Sequence, residues 1–189
     1  MDTLQYLQQY RQVKTLKSGV RVLLRPLVPE DADGLVELFS KILPNEIAYM
    51  RNDVTDQELV RSWAHNVNLK DVFPLVAQVN SRIVGDATLH FGKTYRRHLA
   101  WLRIYLAPEC RRLGIGTLML ESLIAIARRL GLHQVIAEVL ATQVQMIKAL
   151  ETLGFKNEYR HRDYFMTPTG ETVDMDVFVL RLTEPAEQF

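Results

Sequence analysis

The chain has 189 residues, 48% of them hydrophobic, and its 23 basic and 22 acidic residues leave a formal charge of +1. This is enough apolar material for a core and too short a chain for two full domains, and the balanced charge excludes a global field aimed at nucleic acid or an anionic membrane. Cys110 is the only cysteine, which excludes an intrachain disulfide and a multi-cysteine zinc site and suits a reducing interior.

Residues 1–16 read as an N-terminal extension, part of which has Leu4, Leu7 and Tyr10 at the spacing of a short amphipathic helix. It carries no apolar run of signal-peptide length, and no later segment approaches the roughly 20 apolar residues of a membrane span, so a cytoplasmic protein with no membrane partner is expected. Residues 17–189 read as one domain. "VRVLLRPL" predicts a first strand near 20–27. "PEDADGLVELFSKIL" predicts a helix, with Pro29 and acidic residues at its start and Leu35, Leu38 and Phe39 on one face. A second helix is expected from about Thr55, where Thr55-Asp56-Gln57-Glu58 is like a capping box ahead of Leu59, Val60 and Trp63.

"VFPLVAQVN" and "RIVGDATLHFG" predict two strands joined by a tight turn at Asn80-Ser81. "HLAWLRIYL" predicts another, with Trp101, Arg103 and Tyr105 on one face and Leu102, Ile104 and Leu106 on the other. The period then changes: Met119, Leu123, Ile126 and Leu130 fall at helical spacing between Gly116 and Leu130, Arg128 and Arg129 occupy the last turn, and Gly131 ends it. "HQVIAEVL" predicts a strand and "TQVQMIKALETL" a helix stopped by Gly154. "FKNEYRHRDYF" and "TVDMDVFVLRL" predict two last strands around a Pro168-Thr169-Gly170 turn.

The junction "LAPECRRLGIGT" carries the chemistry. A strand that passes through a glycine-bearing turn into a long helix gathers unpaired backbone N–H groups at one point, where the helix dipole adds about half a positive charge. Gly114 and Gly116 remove side chains that would keep a diphosphate from that backbone, and Arg111 and Arg112 offer charge-assisted contacts. The usual nucleotide loops are absent: there is no Gly-x-x-x-x-Gly-Lys-Ser/Thr, and Gly-x-Gly-x-x-Gly fails because position 119 is methionine.

"IYLAPECRRLGIGTLMLESLIAIARRLG" resembles the acetyl-CoA-binding motif of the GNAT superfamily of N-acetyltransferases: a hydrophobic strand, a short link, Arg/Gln-x-x-Gly-x-Gly/Ala and a long helix. The order of predicted elements follows that fold over about 17–183, and "LETLGF" stands where the family has its Leu-Gly-Phe. The resemblance implies a mixed α/β (α+β) fold, with a mostly antiparallel sheet of six to seven strands and four helices, splayed between the fourth and fifth strands. It implies acetyl-CoA as co-substrate. The backbone of Ile104, Tyr105 and Leu106 would hold the pantetheine arm, Arg111, Arg112, Leu113, Gly114, Ile115, Gly116 and Thr117 the diphosphate, and the thioester would lie between "RIYL" and "IAEV".

Two positions depart from the family's pattern. Gln143 replaces an asparagine at the start of the fourth helix, where its amide can still serve the pantetheine, and Leu150 replaces the tyrosine that protonates the thiolate. Tyr159 and Tyr164 are the substitute acids, with Tyr105 and water as other routes. Glu138 is the first candidate base, Asp86 the second and His98 the third. The five histidines lack metal-ligand spacing, so no metal is expected. Weaker similarity to the GNAT domains of bacterial protein lysine acetyltransferases leaves a protein lysine and a small-molecule amine both open as acceptor. Acidic residues at 30, 31, 33, 37, 53, 56 and 58 can attract such a cation or serve local electrostatics. Monomer and homodimer both remain open, and an acyl-CoA-binding sensor without catalysis is the alternative.

Overall fold

The structure, a computed structural model, describes residues 2–47, 49–167 and 169–183. Pro168 of the expected turn, Met1 of the expected extension, and Ala48 and 184–189 of the expected domain lie outside them. The strands form one sheet in the order β1-β2-β3-β4-β5-β6-β8-β7, and the chain divides into two compact units, 1–89 with 104–123 and 90–103 with 124–189.

In the first unit, residues 3–15 form a helix and a strand. α1 (Thr3–Gln9) buries Leu7 to 1% exposure, and β1 (Gln12–Thr15) pairs antiparallel with β2 (Arg21–Pro26). Tyr10 meets the Phe73 ring edge-on, and Ser122 donates to the Gln12 side chain. β2 pairs antiparallel with β3 (Val72–Val79).

The first expected helix is shorter than its periodicity suggested. A 3-10 turn at Pro29–Asp31 precedes α2 (Ala32–Phe39), because Asp31 turns back to accept from the Val28 N–H and pairs with Arg25. α3 (Pro44–Ile47) is a single turn, and α4 (Gln57–His65) starts at Asp56, whose carboxylate caps the N–H groups of Glu58 and Leu59. Leu35, Leu38, Phe39, Val60 and Ala64 of α2 and α4 pack with Val76, Ile83 and Tyr105 in one core cluster. The β3–β4 turn has both Asn80 (φ 48°) and Ser81 (φ 64°) in the left-handed region, as a two-residue hairpin with matching twist requires. β4 follows as Arg82–Phe91.

β5 (Leu99–Leu106) and α5 (Ile115–Arg129) are divided between the units. In the second unit β5 pairs parallel with β6 (Gln134–Leu140), from Leu99 opposite Gln134 to Leu102 opposite Ala137. β6 pairs antiparallel with β8 (Thr172–Arg181), and β8 with β7 (Lys156–Met166). α6 (Val144–Thr152) buries Leu150 completely. The sheet thus has eight strands and the described residues six helices, where six to seven and four were implied; β1 and α3 are additions, and α1 lies in the extension where Leu4 and Leu7 gave helical spacing.

Candidate active site

The donor motif lies within the first unit. β5 ends at Leu106, a 3-10 turn follows at Pro108–Cys110, and α5 begins at Ile115. Arg112 (φ 61°) and Gly114 (φ 89°) both take the left-handed conformation. The Gly114 carbonyl accepts from the Leu118 N–H at 3.1 Å and so opens the helix. Ile115, Gly116 and Thr117 are its first three residues, whose N–H groups have no carbonyl one turn back. A Cβ added at Gly114 would meet nothing nearer than Leu16 at 3.8 Å, and one at Gly116 nothing nearer than Leu106 at 3.9 Å. A Cβ at either position would make ordinary van der Waals contact without a clash, so the positive φ of Gly114 is the feature that favours glycine there.

The strand side is held tightly. The alternation expected along β5 does not persist: its buried residues are Ala100, Leu102 and then Tyr105, a step of three. Tyr105 stacks on Phe39 with centroids 5.2 Å apart and is 8% exposed. Its hydroxyl is enclosed and meets no hydrogen-bond partner among the described residues, and burial, then the nearby Glu46, push its pKa up. Leu106 fits where Gly85 of β4 has no side chain; a Cβ there would come within 2.8 Å of Leu106 Cδ1 and 3.0 Å of the Met119 sulfur.

Arg111 is held by Glu46 and by the end of β5. Its Nη1 and Nη2 donate to Glu46 Oε1 and Oε2 at 2.7 and 2.8 Å, its Nε donates to the Leu106 carbonyl at 3.1 Å, and its guanidinium lies 5.8 Å from the Tyr105 ring centre. Arg112 is exposed, and Leu113 is tied to Ser18, whose hydroxyl donates to its carbonyl. Glu46 and Gly85 were not singled out from the sequence. Gly85, a glycine inside a strand pattern, was the available signal of a close approach; Glu46, 65 positions from its partner, had none.

Asp86 is partly exposed as a residue, but its Oδ1 is enclosed and meets no hydrogen-bond partner among the described residues. Burial pushes its pKa up to about 7. Of the acidic residues read as a possible lure for a cation, Asp31 holds Arg25, Asp33 and Glu58 hold Arg61, Glu37 holds Lys41 and Arg82, Asp53 binds Thr55 and Asp56 caps α4. Each of these six has a local partner. Burial and Glu109 raise the Cys110 thiol, which disfavours a thiolate there.

The other candidates belong to the second unit. Glu138 is half-buried on β6, opposite Val177 of β8. Tyr159 and Tyr164 stand on β7, 59% and 45% exposed, with Tyr164 between the rings of His161 and Phe165. His98 lies beside His133, and Gln143 is the exposed residue before α6. Among the described residues no group of three or more His, Cys, Asp or Glu is placed to hold a metal, and no helix is long and apolar enough to cross a membrane.

The profile of the acetyltransferase (GNAT) family matches residues 34–155. The chain belongs to this family. Membership carries the reaction class, acetyl-CoA-dependent N-acetyl transfer. Solved structures share the GNAT fold. yncA from Salmonella typhimurium, solved with its cofactor acetyl-CoA, superposes with a TM-score of 0.74 at 22% identity, covering 87% of this chain and 96% of that one. Ribosomal-protein-alanine N-acetyltransferase from Brucella melitensis gives 0.72 at 24%, covering 84% and 98%. The GNAT domain of S. lividans PAT gives 0.72 at 19%, covering 90% and 97%.

Proposed function

We propose that the protein moves an acetyl group from acetyl-CoA to a primary amine, on a protein lysine or a small molecule, by direct attack in a ternary complex. The observation that carries this reading is the end of β5 leading through a turn with two left-handed residues, Arg112 and Gly114, into the N-terminus of α5. Acetyl-CoA supplies an activated acyl group as a thioester. The chain's part is to bind and orient it: the Ile104–Leu106 backbone for the pantetheine, and the N–H groups from Arg112 to Thr117, with the α5 dipole, for the diphosphate. Orientation is a large share of the catalysis asked for, because two bound reactants replace a bimolecular encounter.

The attacking amine must be neutral, so a group must take its proton. Glu138 and Asp86 are the proposed acceptors, and Tyr159 and Tyr164 the proposed donors to the departing sulfur. Leu150 is fully buried and takes no part in proton transfer. That substitution is what favours the second reading, a sensor that binds acyl-CoA without turnover.

Release of free thiol from acetyl-CoA, measured across a panel of amines and lysine peptides, tests the reading. Turnover on any acceptor supports the transferase; tight binding with no turnover on all of them supports the sensor. Gly114→Glu places a carboxylate against the diphosphate at a left-handed position and should abolish acetyl-CoA binding by calorimetry. Unchanged affinity would remove the donor site from this loop.

A further inference from the structure

The arginine that opens the glycine motif is engaged by groups outside the loop through three of its five N–H donors. Two nitrogens form a fork on Glu46 of α3 and the third donates to the Leu106 carbonyl, while the guanidinium face lies near Tyr105, itself stacked on Phe39 of α2. The Arg111 and Glu46 side chains are 34% and 23% exposed, and a planar two-bond pairing of this kind fixes direction as well as distance. Any reorientation of the guanidinium breaks these three hydrogen bonds together, and the two N–H groups left over keep the direction that the fork sets.

Resting on the reading of this loop as the acetyl-CoA site, we propose that Arg111 is a positioning residue for the pantetheine edge rather than a ligand of the diphosphate, and that Glu46 sets its direction. The Leu106 carbonyl is fixed by Arg111, and the Leu106 side chain by the gap at Gly85 and Gly116. The last residue of the strand edge is thereby held at both main chain and side chain, with α3 as the anchor. The charge of the phosphates falls to the backbone N–H groups, the helix terminus and Arg112.

Glu46→Gln separates the two roles by sign. It leaves the Arg111 charge in place and weakens the fork that restrains it. As a positioning pair, its loss weakens binding of acetyl-CoA and of S-acetylpantetheine, which lacks the diphosphate, by the same factor of about tenfold. If Arg111 bound phosphate, freeing it would tighten acetyl-CoA and leave S-acetylpantetheine unchanged, which overturns the proposal. Arg111→Lys, which keeps the charge and loses the fork, provides the same comparison if Glu46→Gln does not fold: equal weakening of both ligands supports positioning, and retained affinity for acetyl-CoA overturns it. A lowered Tm with both affinities unchanged also overturns it. Arg112→Gln should weaken acetyl-CoA alone. Failure of the wild type to bind acetyl-CoA would instead overturn the proposed function itself.

Discussion

Asp86 sits in a row that the hydrogen bonds define. The Ala107 N–H donates to the Val84 carbonyl, so stepping two residues along each antiparallel strand sets Asp86 opposite Tyr105, and the two-residue hairpin sets Leu75 opposite it on β3. Leu75 is wholly buried and Tyr105 nearly so, which is why the carboxylate is short of water and its pKa rises to about 7. In the unfolded chain it titrates near 4. Between those values the unfolded chain has released a proton that the folded one keeps, so stability falls as pH rises through that window and is level above and below it. The full cost of the buried charge is on the order of 4 kcal/mol above pH 7. Asp86→Asn should therefore be more stable than the wild type at pH 8 by up to about that amount and little different near pH 3, as urea unfolding at the two pH values can measure. Glu138→Gln should lower the transfer rate at least tenfold with acetyl-CoA affinity unchanged if Glu138 takes the proton; an unaltered pH-rate profile would leave Asp86 as the remaining carboxylate candidate.

Among the elements, the β3–β4 hairpin uses Asn80-Ser81 where glycine would fit the second position with less strain. A non-glycine residue in the left-handed region costs about 1–2 kcal/mol, partly offset by the entropy that glycine adds to the unfolded chain. Ser81→Gly should stabilise the protein by up to about 1 kcal/mol; a lower denaturation midpoint would show that the serine has a compensating role. This turn was legible because two β-rich runs left two residues between them. α5 was legible because Met119, Leu123 and Ile126 repeat at helical spacing ahead of Gly131. β1 was not: "QVKT" has one apolar residue, Val13, and that residue is exposed, so the strand is defined by its pairing with β2 rather than by a buried face. α3 is one turn long, too short for a period. At the donor motif, the glycines and the helix start were legible because local backbone geometry demands those residue types. The direction of Arg111 was not, because it depends on a carboxylate 65 positions away.

For the whole molecule, ligand and stability are linked. A ligand that binds only the folded chain raises its unfolding free energy by about 2.7 kcal/mol at a hundred times its Kd, so saturating acetyl-CoA should raise the thermal midpoint, and desulfo-CoA, with the same diphosphate, should do so as well. A shift with neither would contradict the donor site. The sheet has two outermost strands, and each is guarded differently. β1 is only four residues long. β7 is eleven residues long and exposed over nearly all of them, but its pairing with β8 is irregular twice, between Asn157 and Tyr159 and between His161 and Phe165, and Asp163 turns to φ 53°. Lys156, Glu158, Arg160 and Arg162 further stud it with charge. A regular, uncharged strand of that length would offer a template for a neighbouring chain. The bulges deny it a straight row of donors and acceptors, so the strand can remain in water at high protein concentration without inviting fibre growth.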